Sequence, residues 1–310
     1  MRVHHDISSL PTFKNAVITI GTFDGVHSGH LAIIKQMQAE AKIVEGETII
    51  ITFHPHPRQI IKNGKEELSL LNTPEEKQQR LALSGIDHLV IIPFTEEFAS
   101  LSAESYIDDF LVKYFRPSRI IIGHDHRFGK GRTGDYQLLE KRGQELGFSV
   151  VEIPAHVQDS VKISSTKIRG LLKEGAIEKA NVFLSYPYLL SGVVIEGDKK
   201  GRTIGFPTAN IKILEKDKLI PADGVYAVKI VVRGYFYKGM MNIGYRPTVS
   251  GTLRSVEVHI FDFSEEIYGD IIQIMLYNFI RYEMKFPSLD ALKIQLESDK
   301  QTAFHLLKEK

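Results

Sequence analysis

Gly21-Thr22-Phe23-Asp24-Gly25-Val26-His27-Ser28-Gly29-His30 follows directly on the apolar, β-branched run Val17-Ile18-Thr19-Ile20. That run reads as a short buried strand. Beyond the ten residues, Leu31, Ile34, Met37 and Ala41 recur at helical spacing, so a helix packed on a sheet is expected over 31–41. The stretch is therefore a strand, a glycine-rich turn and a helix start. Glycines let backbone approach a ligand without a Cβ in the way. A helix N-terminus aims free N–H groups and a positive dipole at whatever sits before it, which suits phosphate. His27 and His30, three apart, share a face of the first turn and can donate hydrogen bonds to phosphate oxygens as charge builds up.

Outward from this turn, the first half alternates strands and helices. Strands are expected at 48–53, 89–92, 120–122 and 148–153, and helices over 74–84, 102–114 and 136–146. Asn72-Thr73-Pro74-Glu75-Glu76 has a polar cap, an early proline and acids near the positive end of the dipole. Such alternation predicts a parallel sheet covered on both faces, with ligands at the carboxyl ends of its strands. Gly123 and Asp125 lie in the turn that follows the strand at 120–122, and can converge on the same rim as Gly21, Phe23, Asp24 and Gly25. Ser164-Ser165-Thr166-Lys167-Ile168-Arg169 opens a further helix, and its hydroxyls, free N–H groups and Arg169 form a second anion site. An ordinary N-cap is the competing reading of those hydroxyls.

The texture changes at Ser185-Tyr186-Pro187-Tyr188, where a linker and domain boundary are expected, giving domains 1–185 and 186–310. From Leu189 the runs are strand-like and separated by glycine turns: 190–195, 224–232, 235–241, 255–261 and 271–280. Strand after strand without helices predicts an antiparallel barrel. A final helix over 288–308 has a serine cap, Asp290 near its start and basic residues at its end. Within this half lies Gly201-Arg202-Thr203-Ile204-Gly205-Phe206-Pro207-Thr208-Ala209-Asn210. The backbone of Gly201 to Gly205 can line phosphates. Thr208 and Asn210, two apart in extended chain, offer neutral oxygens of the kind that suit Mg2+ sharing its shell with water and phosphate. Glu257 stands between Val256 and Val258 in an alternating strand. Facing inward it would need a reason for a buried carboxylate; facing outward it would be an ordinary surface glutamate.

The 310 residues suffice for two cores, and a formal net charge of +1 gives no general case for nucleic acid. There is no cysteine, which excludes disulfides, thiolate chemistry and cysteine-ligated zinc. No apolar run is long enough to span a bilayer, and the first residues lack the apolar core of a signal peptide. A cytoplasmic protein acting on small molecules, away from membranes, is the expectation. Nothing in the sequence names a protein partner.

His27-Ser28-Gly29-His30 resembles the HxGH signature of the nucleotidyltransferase superfamily, and the longer string Gly21 to His30 resembles the bacterial bifunctional riboflavin kinase/FMN adenylyltransferase family. The second half is similar to the same family in order: Pro207-Thr208-Ala209-Asn210, Asp223-Gly224-Val225-Tyr226-Ala227, Asn242 to Thr248, then Val256 to Asp262, with Tyr268-Gly269 and Arg281 beyond. The resemblance implies a Rossmann-like adenylyltransferase domain followed by a β-barrel riboflavin kinase domain. It implies riboflavin, FMN and ATP as substrates, and Mg2+ as cofactor held by Thr208 and Asn210. It makes Glu257 the catalytic base of the kinase. His27 and His30 would act on ATP phosphates, with Ser164, Ser165, Thr166 and Arg169 on the departing pyrophosphate. The family usually carries an aromatic residue where this chain has His126.

Three other readings compete. His54/His56 and His124/His126 are His-x-His pairs that could hold a transition metal, but no zinc motif accompanies them. A sensing module that kept the fold without the chemistry would be expected to have lost some of His27, His30, Thr208, Asn210 and Glu257. A monofunctional adenylyltransferase for another small substrate would leave the second half's motifs unexplained.

Overall fold

The structure, a computed structural model, describes residues 1–61, 68–123, 126–153, 163–197, 200–248 and 251–308. Packing divides the chain into two compact units, Met1–Ser165 and Thr166–Lys310.

The first unit holds six parallel strands: β1 (Arg2–His4), β2 (Val17–Ile20), β3 (Thr48–His54), β4 (His88–Pro93), β5 (Arg119–Gly123) and β6 (Ser149–Ile153). Their order is β1-β4-β3-β2-β5-β6. Successive residues feed opposite cores, as the twofold period of a strand requires. Ile18, Ile49 and Ile120 join one buried cluster, with Phe110 and Phe115. Val17, Ile50 and Ile121 join the other, with Ile34, Met37 and Leu81. Both faces are covered, which is why these strands read as continuous apolar runs. From β2 the chain moves outward through β3 and β4, then returns to lay β5 on the other side of β2. The order reverses between β2 and β5, and in open parallel sheets that is where the crevice for a ligand opens. Gly21 and Gly123 stand at the two carboxyl ends that flank it.

The expected strands are present within a residue or two. The expected helix over 31–41 runs from Ser28 to Val44, and that over 136–146 is Tyr136–Leu146. The segment expected as one helix over 102–114 is helical from Ala103 to Phe115, but Tyr106–Val112 takes wider π-type turns. β1 was not anticipated; three residues with only partial burial carry too little pattern to be read.

The second unit is a closed barrel of β7 (Tyr188–Ile195), β8 (Ala209–Ile213), β9 (Gly224–Val232), β10 (Tyr235–Thr248), β11 (Gly251–Ile260) and β12 (Ile271–Arg281). Every strand pairing is antiparallel. Sequence periodicity gives five of the six; β8, a five-residue strand, is the addition. One set of alternating residues fills the barrel: Tyr226, Val228 and Ile230, Met241 and Ile243, Val256 and Val258, Ile272, Ile274 and Leu276. The opposite set, including Val225, Ala227 and Met240, lies on the outer wall and clusters with Ala303 of the helix Leu289–Leu306 and with Leu307, its C-cap. Ser288 caps that helix as expected, accepting from the Ala291 N–H.

The compact units part at Ser165/Thr166, whereas the change of texture suggests a seam at 185/186. Two helices account for the difference. Leu172, in the helix Ser165–Lys173, accepts from the Ala222 N–H through its carbonyl at 2.9 Å. In the helix Ile177–Leu184, Asn181 donates to the Leu276 carbonyl at 2.8 Å and accepts from the Tyr188 N–H at 2.8 Å. Glu178 accepts from the Phe279 N–H at 3.1 Å. Both helices are sewn to the barrel by polar contacts that hydrophobic pattern does not register. Among the described residues, no helix is long and apolar enough to cross a membrane.

Candidate active sites

In the first unit β2 ends in the turn Gly21 to His27, and the helix begins at Ser28. The turn is tightly wound. Phe23 and Val26 take positive φ of 48° and 36°, with Gly25 between them at 88°. For a buried aromatic and a β-branched residue this conformation costs about 1–3 kcal/mol each and is tolerated where surrounding contacts over-determine it. Asp24 supplies some of those contacts. Its carboxylate, 2% exposed, accepts from the N–H groups of Leu71 and Asn72 at 2.9 and 3.3 Å. The Asp24 carbonyl accepts from Ser165 Oγ at 2.9 Å.

His27 sits at the N-cap position, buried, and its ring stacks on that of His30 with centroids 3.8 Å apart. Phe23 packs against His30 at 4.8 Å. A side chain at Gly29 would meet the His27 ring at 3.2 Å, so the glycine leaves room for this stack. His30 Nδ1 is buried without a hydrogen-bond partner among the described residues. Burial, with His27 and Lys77 nearby, holds His30 well below the ordinary imidazole range. The His30 ring is thereby available as a neutral donor at physiological pH, at the head of a helix whose first N–H groups are free of intrahelical partners.

Lys77 escaped the sequence reading. It lies on the helix Pro74–Ala82, whose start is fixed by a reciprocal Thr73/Glu76 capping box. Its Nζ donates to the Thr22 carbonyl at 3.0 Å and stands 3.4 Å from Thr52 Oγ1, so it enters the turn itself. The readable signal is its register: four residues before Leu81, which is fully buried.

Of the other expected residues here, Gly21 and Gly25 lie in the turn and Gly123 ends β5. Asp125 and His124 fall outside the described residues. Ser164 immediately precedes the helix Ser165–Lys173, on which Thr166 and Arg169 stand. The His126 N–H donates to the Gly123 carbonyl at 3.0 Å. Among the described residues no three metal-ligating side chains cluster.

In the second unit a cavity of about 590 Å³ opens between the outer wall of the barrel and the helix Leu289–Leu306. Glu257, Thr208, Asn210, Gly201 and His259 line one side. Met284, Phe286, Leu289, Leu292 and Leu296 line the other, forming an apolar slot. Neither strand-pattern reading of Glu257 holds. Register pairs it with Asn242 on β10 and Asn210 on β8, on the outer face, while Val256 and Val258 fill the barrel. The helix roofs that face, so the glutamate is outside the barrel yet only half exposed. Thr208 Oγ1 lies 3.5 Å and Ser255 Oγ 3.3 Å from the two carboxylate oxygens of Glu257.

The loop before β8 is built to keep this geometry. Gly201 packs against the Phe206 carbonyl so closely that any side chain there would collide with it. The Phe206 N–H donates to the Gly201 carbonyl at 2.9 Å, and Gly205 takes φ of 85°. His259, two residues along β11 from Glu257, bonds through Nδ1 to the Pro207 carbonyl at 2.7 Å and so pins the backbone next to Thr208. Burial lowers the pKa of His259, which favours the neutral ring with that bond donated. Arg281 lines the cavity and makes a forked ion pair with the buried Asp299 at 2.7 to 3.0 Å, tying β12 to the roofing helix.

Comparison with known proteins covers both units. The family model described as FAD synthetase matches residues 10–167, and that described as riboflavin kinase matches 184–307. The chain is 39% identical over 300 residues to the bifunctional riboflavin kinase/FMN adenylyltransferase of Escherichia coli (strain K12), covering 96% of this chain and 95% of that one. It is 42% identical over 301 residues to the protein so named from Listeria monocytogenes, with the same shares covered. A crystal structure described as a macrolide-efflux protein from Streptococcus pneumoniae aligns with a TM-score of 0.87 at 30% identity, over 97% of this chain and 98% of that one.

Proposed function

We propose an assignment of residues to chemistry for a chain that belongs to the bifunctional riboflavin kinase/FMN adenylyltransferase family. It phosphorylates riboflavin with ATP to give FMN, then adenylylates FMN with a second ATP to give FAD and pyrophosphate. Adenylyl transfer is assigned to the chain before the 185/186 seam and phosphoryl transfer to the chain after it.

In adenylyl transfer the nucleophile is a phosphate, already an anion, so no base is needed. Positioning and charge stabilisation carry the step. His27 and His30 are the donors to ATP phosphates, supported by their stacked placement at a helix N-terminus and by the unsatisfied Nδ1 of His30. Gly21, Phe23, Asp24 and Gly25 shape the nucleotide pocket, with Gly123 from the neighbouring strand end and Asp125 two residues further along the sequence. Ser164, Ser165, Thr166 and Arg169 hold the departing pyrophosphate.

In phosphoryl transfer the nucleophile is the ribityl hydroxyl, which keeps its proton until it reacts. Glu257 is assigned as the base that orients it and accepts that proton. The observation that carries this is a carboxylate on the wall of the 590 Å³ cavity, held between two hydroxyls and facing an apolar slot suited to a flavin ring. Gly201 and Gly205 line the phosphate path. Thr208 and Asn210, two neutral oxygens beside a carboxylate, fit Mg2+, which when bound neutralises charge on the transferring phosphoryl group. We place these reactions in the cytoplasm, a reading supported by the absence of cysteine.

Separation of products after mixing the protein with riboflavin, ATP and Mg2+ tests the whole reading. FMN should appear first and FAD after it, and omission of divalent metal should suppress both. Absence of both flavins in the complete mixture would overturn it.

A further inference from the structure

We propose that Lys77 is a phosphate-contacting residue of adenylyl transfer, a third donor beside His27 and His30; this rests on the reading of that site given above. The ammonium reaches the turn from a different element, the helix Pro74–Ala82. The Thr22 carbonyl accepts from Lys77 Nζ at 3.0 Å and from Thr52 Oγ1 at 3.1 Å, so two donors converge on one backbone oxygen at the carboxyl end of the sheet. An ammonium has three protons, and this geometry accounts for one, with a second near Thr52 Oγ1 at 3.4 Å. Lys77 also lines a small cavity together with Asp24, Asn72, His54 and His56.

Asp24 favours the charged amine without outweighing its burial. Asp24 Oδ1 is engaged by two backbone N–H groups, which spread its charge into the turn. Burial works against the charged amine and Asp24 only offsets part of that, so an arriving anion would be drawn to it. Its charge is felt at His30, which places it in the same electrostatic site. Such a cation, desolvated, held by neutral oxygens and set at a strand end beside a helix N-terminus, matches a phosphate oxygen. In the step, a phosphate oxygen of FMN forms a bond to the α-phosphorus of ATP. The bond from that phosphorus to the bridging oxygen breaks, and its electron pair leaves with pyrophosphate. No proton is transferred, so Lys77 stays protonated throughout and stabilises charge on the oxygens around the reacting phosphorus.

Two variants of the full chain decide the matter. Lys77→Gln keeps a donor for the Thr22 carbonyl and removes the charge; Lys77→Arg keeps the charge. FAD formation from FMN should fall about 10²-fold in Lys77→Gln, the scale of losing one such donor. Lys77→Arg should recover to within about tenfold of the wild type, a gap set by the different reach of its donors. The KM of FMN or of ATP should rise in Lys77→Gln, and whichever rises identifies the phosphate contacted. Riboflavin phosphorylation by the same preparations should be unchanged. FAD formation at the wild-type rate in Lys77→Gln would overturn the proposal. So would equal losses in both variants with both KM values unmoved, because that is what a purely structural tie to Thr22 produces. Should Lys77→Gln not fold, Lys77→Arg decides by its KM values: a shift supports contact with phosphate, and none overturns it. A wild-type chain that makes no FAD would instead remove the adenylyltransferase reading itself.

Discussion

On the proposed assignment, the two sites handle the same cosubstrate with opposite equipment. The first is built at strand ends: a turn leaves β2, a helix begins, and two imidazoles stack over its N-terminus. Its described carboxylate, Asp24, accepts from backbone N–H groups. The second is built on a sheet face: Glu257 stands on the outer wall of a barrel, between hydroxyls, under a helix. The difference follows the protonation of the nucleophile. A phosphate arrives deprotonated and needs donors that tolerate gathering charge, whereas a hydroxyl must lose a proton and needs an acceptor within reach. Each fold supplies its answer where it is rigid, a switch point in a parallel sheet or a roofed face of a closed barrel.

The largest expected effect breaks the barrel half alone. Glu257→Gln preserves size and removes the proposed base, so riboflavin phosphorylation should fall on the order of 10³-fold, within the range for general base catalysis. FAD formation from supplied FMN should stay within about twofold of the wild type, since the first site requires no base. Steady-state assays of the two half-reactions measure both. Retained phosphorylation would make Glu257 structural. His30→Ala should do the converse on a smaller scale, lowering FAD formation by about 10²-fold and sparing the kinase.

Much of this organisation is legible in the sequence, for identifiable reasons. The parallel sheet announces itself because strands buried on both faces become uninterrupted runs, as in Ile49-Ile50-Ile51 and Ile120-Ile121-Ile122. The glycine-histidine turn does so because backbone space and ring donors need particular residues at fixed places. What escapes is decided by tertiary register. Glu257 reads as inward or solvent-facing because strand alternation does not reveal that the later helix Leu289–Leu306 covers the outer wall. Lys77 hides in Pro74-Glu75-Glu76-Lys77-Gln78-Gln79-Arg80, where a charged residue looks like solvated surface. The seam between units moves because Asn181 and Glu178 bind the barrel through backbone groups, a contact with no hydrophobic signature.

The smallest expected effect sharpens the comparison through pH. The folded chain holds His30 neutral below the ordinary imidazole value, whereas the unfolded chain takes up that proton near pH ~6.5. Between the unfolded value and the lowered folded one, the unfolded state binds more protons, so stability falls as the pH falls below ~6.5. Denaturant melts should show the wild type losing stability relative to His30→Asn over that window, by at most ~1.4 kcal/mol per pH unit. Parallel curves for the two proteins would mean that His30 titrates normally in the folded chain.

The central claim, two separate sites passing one intermediate, is tested most directly by mixing two crippled chains. Glu257→Gln and His30→Ala are each incubated with riboflavin, ATP and Mg2+, then combined, and FAD is measured. Alone, Glu257→Gln should leave riboflavin unconverted, and His30→Ala should accumulate FMN with little FAD. Together they should make FAD, because FMN released by one chain is adenylylated by the other. A mixture that makes no more FAD than its components, with each variant deficient in both half-reactions, would contradict the account.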